Sequence, residues 1–384
     1  MKILIIDVFR YVPGGINYYS AIHLYDMLMG HGYDVDIMKY PYYENKENIP
    51  PIDFQTALGK KYDIIIVTSI LGFEYVNKYK KITKEQPRII IISEEDYLDA
   101  LQRKIGLFDL RTKKILKNFI SSLRTDDICL TSNYEDMKSV REYFGINTEY
   151  IETYIDEKYF LKNEKETKSN FQTALFANKL SYKQNSMGLI IKAVKYIKNK
   201  TDFLEKHNLL IDVTAFGEDY ERFIKDVYRN KLSDLFRFVS VMPTDKYIEY
   251  LKSHRFTIVL PRNITHNREM LESMAAGVPV LIDSSYNKHS DPYVRSWGED
   301  ATFFSNTMSE IIKDTQNGFV FESGNYIDLA DKIMLMLTTN LTDIRRNAFE
   351  TALKFKPEYF DQRIIYTINR IMESIDKQKI MSEI

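Results

Sequence analysis

The chain has 384 residues, of which 44% are apolar and 28% charged, and its 53 basic and 54 acidic side chains give a net charge of −1. This composition excludes a disordered chain, and the length exceeds what one hydrophobic core supports, so we expect two domains. A nearly neutral chain can bind nucleic acid only through a local basic patch. The single cysteine, Cys129, cannot form an internal disulfide, which favours a reducing, cytoplasmic compartment.

Neither a secretory leader nor a membrane span is expected. The first apolar run ends at Asp7, which is too early for a signal peptide. The longest strongly apolar stretch, Ile64 to Phe73, is far shorter than the ~20 residues of a membrane helix.

Short apolar runs alternate with helical periods along residues 1–155. A helix is predicted at Ile16–Met29, and strands at Ile3–Ile6, Val35–Met38, Ile64–Thr68, Ile89–Ile92 and Ile128–Thr131. Helices between such strands imply right-handed βαβ units and a parallel sheet covered on both faces. Residues 1–155 are therefore predicted to form a Rossmann-like domain.

A charged, irregular stretch over residues 156–170 predicts a linker, and a second alternating set fills residues 171–355. Its predicted strands are Thr173–Ala177, Leu209–Thr214, Phe236–Val239, Thr257–Leu260 and Val278–Ile282. Its predicted helices are Met187–Lys198, Glu218–Tyr228, Asp245–Ser253 and Arg268–Ala276. Residues 356–384 are expected to form a helix that crosses back to the first domain. The predicted fold class is α/β, with two Rossmann-like domains facing across a cleft. Open α/β sheets bind ligands at the carboxyl ends of their strands, and two such edges can face each other here.

Two loops at strand ends carry residue types that bind phosphate. Gly14-Gly15 follows the first strand and precedes a helix, so the backbone there can approach an anion closely. Lys179 and Lys183 follow the strand Thr173–Ala177 and suit a diphosphate. Both loops also fit a tight turn or a solvated loop without a ligand. The chain contains neither Gly-x-Gly-x-x-Gly nor a Walker lysine, which disfavours dehydrogenases and NTPases.

The most informative segment runs from Arg262 to Ile282. A polar loop leads into a helix that begins near Arg268, and a Gly-x-Pro turn leads into the next strand. The helix N-terminus offers N–H groups to phosphate oxygens. Glu272, one turn into the helix, could accept hydrogen bonds from sugar hydroxyls; a solvated surface position is its alternative interpretation.

The stretch Leu271-Glu272-Ser273-Met274-Ala275-Ala276-Gly277-Val278-Pro279-Val280 resembles the signature of the family 4 glycosyltransferases, which are retaining enzymes with the GT-B fold. Weaker similarities recur in the family's order at Pro13-Gly14-Gly15, Ile155 to Phe160, Lys179-Leu180, Gly298 to Phe303 and Asn317 to Phe321. The resemblance implies a nucleotide-sugar donor, with a UDP-sugar expected. It also implies that Gly14, Gly15 and Lys179 hold the diphosphate and that Glu272 holds the ribose.

Departures from the family pattern bear on the chemistry. The glutamate that contacts the donor sugar in the family falls on Ile264, and the lysine of the diphosphate loop falls on Gln184, with Lys183 one position early. We hypothesise that Arg268 supplies the missing phosphate charge and that Glu269 partly replaces the missing glutamate. A solvent-facing helix position is the alternative interpretation of Glu269.

Three consecutive acids, Glu94, Glu95 and Asp96, follow the fourth strand, where the family often carries a His-Asp pair. Their place at the carboxyl end of a parallel strand adds them to Lys179, Arg268 and Glu269 as catalytic candidates, although a charged surface loop is the plainer interpretation. The missing histidine suggests a donor sugar without the usual hydroxymethyl group, such as a pentose.

No metal and no cofactor beyond the nucleotide sugar are expected. The Asp34-Val35-Asp36 stretch lies at the wrong end of its strand for a metal site beside the donor, and no histidine or cysteine cluster has ligand spacing.

A basic segment over residues 103–124 carries seven basic side chains against one acid, Asp109. Apolar residues, among them Ile115 and Phe119, give it an apolar face. Three interpretations stay open. The segment is an ordinary amphipathic helix with a solvated basic face, a membrane-surface helix for a lipid-linked acceptor, or an element that contacts nucleic-acid phosphates.

The stretch Leu101 to Leu107 is similar to the matching stretch of the T-even phage α-glucosyltransferases, which modify hydroxymethylcytosine in DNA. This similarity implies duplex DNA with a flipped modified base as the acceptor. The acceptor-side candidates are Tyr18, Arg103, Lys104, Arg111, Lys113 and Lys114.

A cell-surface glycan or a lipid-linked sugar is the close alternative acceptor. A non-catalytic GT-B binding module is the alternative of another class, because Ile264 replaces the usual glutamate. The sequence leaves the sugar and the oligomeric state open.

Overall fold

The computed structural model describes residues 1–7, 18–38, 51–68, 72–93, 114–115, 117–132, 137, 141–142, 145–160, 172–176, 180, 182, 187–200, 203–215, 217–260, 268–284 and 311–383. The chain divides into two compact units. The first contains Met1–Glu152 together with Glu358–Ile384, and the second contains Thr153–Pro357. Each unit holds one six-stranded sheet.

The first unit is built on a parallel sheet. Its elements in chain order are β1 (Lys2–Ile6), α1 (Tyr18–Gly30), β2 (Asp34–Ile37), α2 (Phe54–Leu58), β3 (Ile64–Val67), α3 (Gly72–Thr83), β4 (Arg88–Ser93), β5 (Ile128–Thr131) and β6 (Asn147–Tyr150). The strands lie in the order β2-β1-β3-β4-β5-β6, and every neighbouring pair is parallel. The five predicted strands are confirmed, whereas β6 was not predicted because its sequence Asn-Thr-Glu-Tyr lacks an apolar run.

The central strands of this sheet are buried on both faces. Strand β3 reads Ile-Ile-Ile-Val and strand β5 reads Ile-Cys-Leu-Thr, and every one of these side chains is buried. Near-continuous apolar runs of this kind are typical of parallel strands with helices on both sides.

The second unit repeats this plan with a different set of elements. After a 3₁₀ helix at Glu157–Phe160 come β7 (Gln172–Phe176), α4 (Met187–Lys200), α5 (Phe203–His207), β8 (Leu209–Thr214), α6 (Tyr220–Arg229), β9 (Phe236–Val239), α7 (Thr244–Lys252), β10 (Phe256–Val259), α8 (Arg268–Ala275), β11 (Val280–Asp283), β12 (Phe319–Phe321), α9 (Tyr326–Thr338) and α10 (Thr342–Ala352). The order β12-β11-β10-β7-β8-β9 is again wholly parallel. The short strand β12 was not predicted.

The order of strands locates a ligand-binding edge in each sheet. In the second sheet the chain moves outward from β7 to β8 and β9, and then returns to the other side of β7 to form β10. The connections from β7 to β8 and from β10 to β11 therefore lead to opposite sides, and in open α/β sheets the carboxyl ends of two such strands border a ligand-binding crevice. The same reversal occurs beside β1 and β3 in the first sheet.

The last helix, α11 (Pro357–Glu383), returns to the first unit after Pro357. Two arginines of this helix pair with Glu149 of β6, Arg363 at 2.8 Å and Arg370 at 2.6 Å. Its Asp361 lies 2.7 Å from the ring of His23 on α1. Within the described part of the chain, no helix combines the length and the apolar character needed to cross a membrane.

Candidate functional site

Helix α8 follows β10 at the reversal point of the second sheet and carries three charged residues, Arg268, Glu269 and Glu272. The side chains from Met270 to Ala275 are all buried, so packing fixes the helix in place. Arg268 and Glu272 are four positions apart and therefore lie on one face of it. The structure brings together these three residues, which the sequence analysis had selected for the donor.

Two local features hold α8 against the sheet. The Ser273 hydroxyl lies 2.5 Å from the Thr257 hydroxyl of β10, and both are buried. At the other end Gly277 has a φ of +70°. The Gly277 N–H bonds to the Met274 carbonyl at 2.9 Å and the Val278 N–H to the Ser273 carbonyl at 2.8 Å, the pattern of a Schellman cap.

Glu272 lies in an environment that disfavours its charge. The residue is only 5% exposed. Burial raises the pKa of its carboxyl to about 8, and the Arg268 guanidinium opposes this rise, as do Tyr159 and Lys158, whereas Glu269 adds to it. At neutral pH the carboxyl is mostly protonated, and it can both donate and accept a hydrogen bond. Such a group matches sugar hydroxyls, which also donate and accept.

Arg268 supplies the positive charge of this cluster. Its guanidinium lies 5.6 Å from the ring centre of Tyr154. Burial raises the pKa of the Glu269 carboxyl as well, and Arg268 again opposes the rise. The first turn of a helix presents N–H groups that have no partner within the helix, and the helix dipole favours an anion there. Arg268 and the start of α8 together form a site suited to a phosphate group.

Two tyrosines that no sequence pattern indicated also lie close to the glutamates of α8. Tyr159 of the 3₁₀ helix packs in the same apolar cluster as Met270, Leu271 and Met274 of α8. Tyr247 of α7 lies near both glutamates, since burial and the charges of Glu272 and Glu269 raise the pKa of its hydroxyl. The amphipathic spacing of α7 predicts only that Tyr247 faces inward. It does not predict that Tyr247 lies beside Glu269 and Glu272.

The loop after β7 is anchored to the β8–α6 turn. The Leu180 carbonyl accepts a hydrogen bond from the Asp219 N–H at 3.0 Å. A Cβ atom on Gly217 would lie 2.4 Å from that same carbonyl oxygen, so the close approach of the two segments requires glycine. The Tyr182 N–H donates to the Asp219 carboxylate at 2.8 Å.

The ring of Tyr182 is fixed as well. Its hydroxyl donates to Asp226 of α6, and the Arg222 guanidinium lies 4.1 Å from its ring centre. Leu180 and Tyr182 are the sequence neighbours of Lys179 and Lys183, which themselves lie outside the described residues.

Several other predicted site residues also lie outside the described residues: Gly14, Gly15, Glu94, Glu95, Asp96, Arg103, Lys104, Arg111 and Lys113. Tyr18 begins α1, but its side chain is not described. Lys114 is exposed on the surface of the first unit.

The described end of the basic segment packs on the first unit. The Phe119 ring stacks on Phe73 of α3 with 3.7 Å between ring centres, and Ile115, Ile120 and Leu123 pack against the same core. Arg124 donates to the Pro87 carbonyl at 2.6 Å. This apolar face is covered by the protein itself, which favours the ordinary amphipathic helix over the membrane-surface helix for the described residues between 114 and 120.

The Asp-Val-Asp stretch has a structural role. Asp36 accepts hydrogen bonds from Lys60 at 2.9 Å and from the Tyr62 hydroxyl at 2.8 Å, and Lys2 lies 3.2 Å from Asp34. Among the described residues, no group of three or more His, Cys, Asp or Glu side chains could hold a metal ion.

Comparisons with solved structures identify the fold. A sucrose-phosphate synthase from Thermosynechococcus elongatus has a TM-score of 0.75 at 12% identity, over 97% of this chain and 99% of that one. HepE from Anabaena, in complex with UDP and glucose, has a TM-score of 0.70 at 13% identity, over 96% and 100%. The lipopolysaccharide outer core galactosyltransferase WaaB has a TM-score of 0.64 at 11% identity, over 97% and 99%.

No family profile and no curated protein sequence matches the chain. The two parallel six-stranded sheets, with the strand order that reverses beside the first strand of each, match these glycosyltransferase structures over nearly their whole length. The predicted fold class is confirmed: the chain has the GT-B fold.

Proposed function

We propose that this protein is a glycosyltransferase that transfers a sugar from a nucleotide-sugar donor to a hydroxyl acceptor. The observation that carries the proposal is the buried Glu272, held with Arg268 on α8 beside the reversal point of the second sheet. A protonated carboxyl and a cation one helical turn apart match the ribose and the diphosphate of one nucleotide. The resemblance of the α8 segment to the family 4 signature supports the same assignment.

A UDP-sugar is the proposed donor. HepE, which shares the fold, has been solved with UDP and with UDP-glucose. In our proposal Glu272 binds the ribose, and Gly14, Gly15, Lys179, Lys183 and Arg268 bind the diphosphate. The donor sugar is a hexose or a pentose, with Glu269 near it in the place of the glutamate missing at Ile264.

The proposed chemistry depends on the leaving group. Negative charge develops on the nucleoside diphosphate as the bond to the sugar breaks, and preorganised cations and N–H groups lower the energy of that transition state. Arg268, Lys179 and Lys183 would supply the cations, and the first turn of α8 would supply the N–H groups. By its resemblance to family 4, the enzyme is proposed to retain the anomeric configuration and to use no metal, with Glu94, Glu95 and Asp96 contributing from the first unit.

Binding and hydrolysis of the donor test this proposal. Calorimetry with UDP, ADP and GDP identifies the nucleotide, and release of UDP from a panel of UDP-sugars identifies the sugar. Replacing Glu272 with Ala should weaken nucleotide binding ~10- to 100-fold, the loss expected for a strong hydrogen bond. Glu350→Ala, at an exposed position on α10, is the matched control and should bind normally. A wild-type protein that binds nucleotide but never releases or transfers a sugar would support the non-catalytic binding module.

For the acceptor we propose a hydroxymethylated base in duplex DNA. The support is the basic segment 103–124, of which Lys114 and Lys117 are exposed, and the similarity of Leu101 to Leu107 to the phage enzymes. A cell-surface glycan or a lipid-linked sugar is the alternative, and the likeness to WaaB, a lipopolysaccharide galactosyltransferase by its description, favours it. The DNA proposal includes a cytoplasmic location, because the enzyme would need access to both the nucleotide sugar and the DNA there.

Salt-dependent binding distinguishes the two acceptors. Hydroxymethylcytosine-containing duplex DNA should bind with an affinity that falls steeply with salt, and sugar should appear on the base when donor is added. The charge-reversed double variant Lys114→Glu/Lys117→Glu should bind DNA more weakly, whereas Lys225→Glu, an exposed position of α6, should not. Retained nucleotide binding without DNA binding or transfer would assign the acceptor to a glycan or a lipid.

A further inference from the structure

A second group of charged side chains lies at the amino ends of β4 and β5, the edge of the first sheet opposite the carboxyl ends of its strands. Arg88 is the first residue of β4, and Asp127 directly precedes β5. Lys80 of α3 reaches the same place, because its ammonium lies 3.4 Å from the Ser122 carbonyl in the segment before β5. Side chains from a helix and from the starts of two strands therefore meet at this edge.

The two acids of the group hold this edge together. Asp127 is fully buried, and its carboxylate accepts hydrogen bonds from the Ile89 N–H and the Arg124 N–H, each at 2.8 Å. Asp126 forms an ion pair with Arg88. These contacts join the segments that lead into β4 and β5, and they fix the cations beside them.

Two cations of the group have donors that lack a good acceptor. Lys80 is only 8% exposed, and within the described part of the chain its three N–H groups make one long hydrogen bond, to Ser122. Arg124 donates through a terminal nitrogen to the Pro87 carbonyl at 2.6 Å. Its Nε atom is buried without a hydrogen-bond partner among the described residues, and the Asp126 carboxylate lies 3.9 Å away. Buried donors without an acceptor are costly, so this place favours a ligand that brings acceptors.

Positive charge also exceeds negative charge in the group. Three cations, Lys80, Arg88 and Arg124, surround two carboxylates, which leaves one positive charge unbalanced. Burial lowers the pKa of the Lys80 ammonium, with Asp127 opposing this effect and Arg124 adding to it. The Arg124 and Asp126 side chains are 32% and 26% exposed, so an anion from solution can approach from their side.

We propose that the cluster of Lys80, Arg88 and Arg124 binds a small phosphate anion. Phosphate carries negative charge and several strong acceptor oxygens, which match the remaining N–H groups of Lys80 and the Nε atom of Arg124. The cluster belongs to the first unit, whereas Arg268 of the proposed donor site belongs to the second. The inference therefore does not depend on the proposed function.

Inorganic phosphate is the probe for the first test, which measures its affinity by calorimetry. The wild-type protein should bind phosphate. Lys80→Met keeps the length of the side chain and removes the ammonium, so it should bind phosphate at least about 10-fold more weakly, the loss expected for a charged hydrogen bond. Lys81→Met, at an exposed position of the same helix, is the matched control and should bind like wild type. Equal affinities of Lys80→Met and wild type would overturn the inference.

Thermal unfolding gives an independent readout. Phosphate at about ten times its dissociation constant should raise the unfolding midpoint of the wild-type protein by about 3–6 °C and leave that of Lys80→Met unchanged. Arg124→Lys keeps the charge and removes the Nε donor, and it should show a smaller rise than wild type. Sodium chloride at equal ionic strength should not reproduce the rise, and an equal effect of chloride would contradict a phosphate site.

A last variant establishes where the anion binds. Arg268→Gln should keep the wild-type affinity for phosphate, because Arg268 is not part of the cluster. Loss of phosphate binding in Arg268→Gln, together with its retention in Lys80→Met, would place the anion at α8 and overturn the inference. Absence of phosphate binding to the wild-type protein would also overturn it, while the proposed function, which is tested by UDP binding and sugar release, would stand.

Discussion

The hydroxyl groups of Thr257 and Ser273 lie 2.5 Å apart in the interior of the second unit and join strand β10 to helix α8. Both residues are buried, so each hydroxyl depends on the other for its hydrogen bond. The orientation of the face that carries Arg268 and Glu272 is thereby tied to the sheet.

Removing one of these hydroxyls should destabilise the protein. Ser273→Ala leaves the Thr257 hydroxyl buried without this partner, which costs about 1–3 kcal/mol. The double variant Thr257→Val/Ser273→Ala should lose less than the sum of the single losses, because neither hydroxyl is then left unsatisfied. Urea unfolding of the four proteins measures this coupling, and additive losses would show that the two hydroxyls do not interact.

A substitution at the cap of α8 should also destabilise the protein. Gly277 has a φ of +70°, which costs about 1–2 kcal/mol for a residue with a Cβ, so Gly277→Ala should lower the free energy of unfolding by that amount. Gly188 in α4 is the matched control. It has no positive φ and an added Cβ would meet nothing within 4 Å, so Gly188→Ala should be neutral or stabilise by up to about 1 kcal/mol. Equal effects at the two positions would contradict this argument.

The buried Asp212 on β8 is the centre of a hydrogen-bonded network that reaches the half-exposed Arg237. Its carboxylate accepts hydrogen bonds from Arg237 at 2.7 Å and from His254 at 3.0 Å, and also from the Tyr250 hydroxyl. Burial raises the pKa of Asp212, but these hydrogen bonds outweigh burial and lower it to about 2.

The network should give a defined pH dependence. Because the pKa of Asp212 is depressed in the folded state, its stabilisation is present above the unfolded value of about 4 and is lost as the pH falls toward 2. Asp212→Asn should cost about 2–3 kcal/mol at pH 7, because it removes the buried charge that these hydrogen bonds stabilise, whereas the half-exposed Arg237 keeps its contact with water. The difference from wild type should shrink between pH 4 and pH 2 in urea unfolding. A difference that is constant across this range would contradict the role of the charge.

Glu272 should give the opposite pH dependence to Asp212, with stability falling as the pH rises. Its folded-state pKa of about 8 lies above the unfolded value of about 4.3, so folding takes up a proton and stability falls as the pH rises from 4.3 to 8. Glu272→Gln has no such penalty and should be more stable than wild type at pH 7 by about 3 kcal/mol. Unfolding at pH 5 and pH 8 measures the difference, which should be larger at pH 8. A variant less stable than wild type at both values would show that the carboxyl is needed structurally.

Much of the fold could be predicted because parallel strands buried on both faces are continuous apolar runs, as in Ile64–Val67. The missed strands, β6 and β12, lie at the edges of their sheets. An edge strand pairs on one side only and needs fewer apolar residues, so Asn147–Tyr150 has no run to detect. The length of Phe319–Phe321 is three residues, too short to show a period.

The candidate site could be predicted only in part, for a different reason. Arg268, Glu269 and Glu272 are close in sequence, so the helix predicted at Arg268–Ala276 and the family resemblance together placed them at one site. Tyr159 and Tyr247 reach the same cluster from elements far away in the chain. Their contribution depends on how α7 and the 3₁₀ helix pack against α8, which no local pattern specifies.

The return of α11 to the first unit has a consequence for how the chain folds. The second unit is one continuous stretch and possesses all its residues once Pro357 has been synthesised. The first unit has its six strands much earlier, but Glu149 and His23 must wait for Arg363, Arg370 and Asp361. Domains generally fold as units during synthesis, the N-terminal one first. Here the order of completion should be reversed, because the unit that begins first is also the one that the ribosome finishes last.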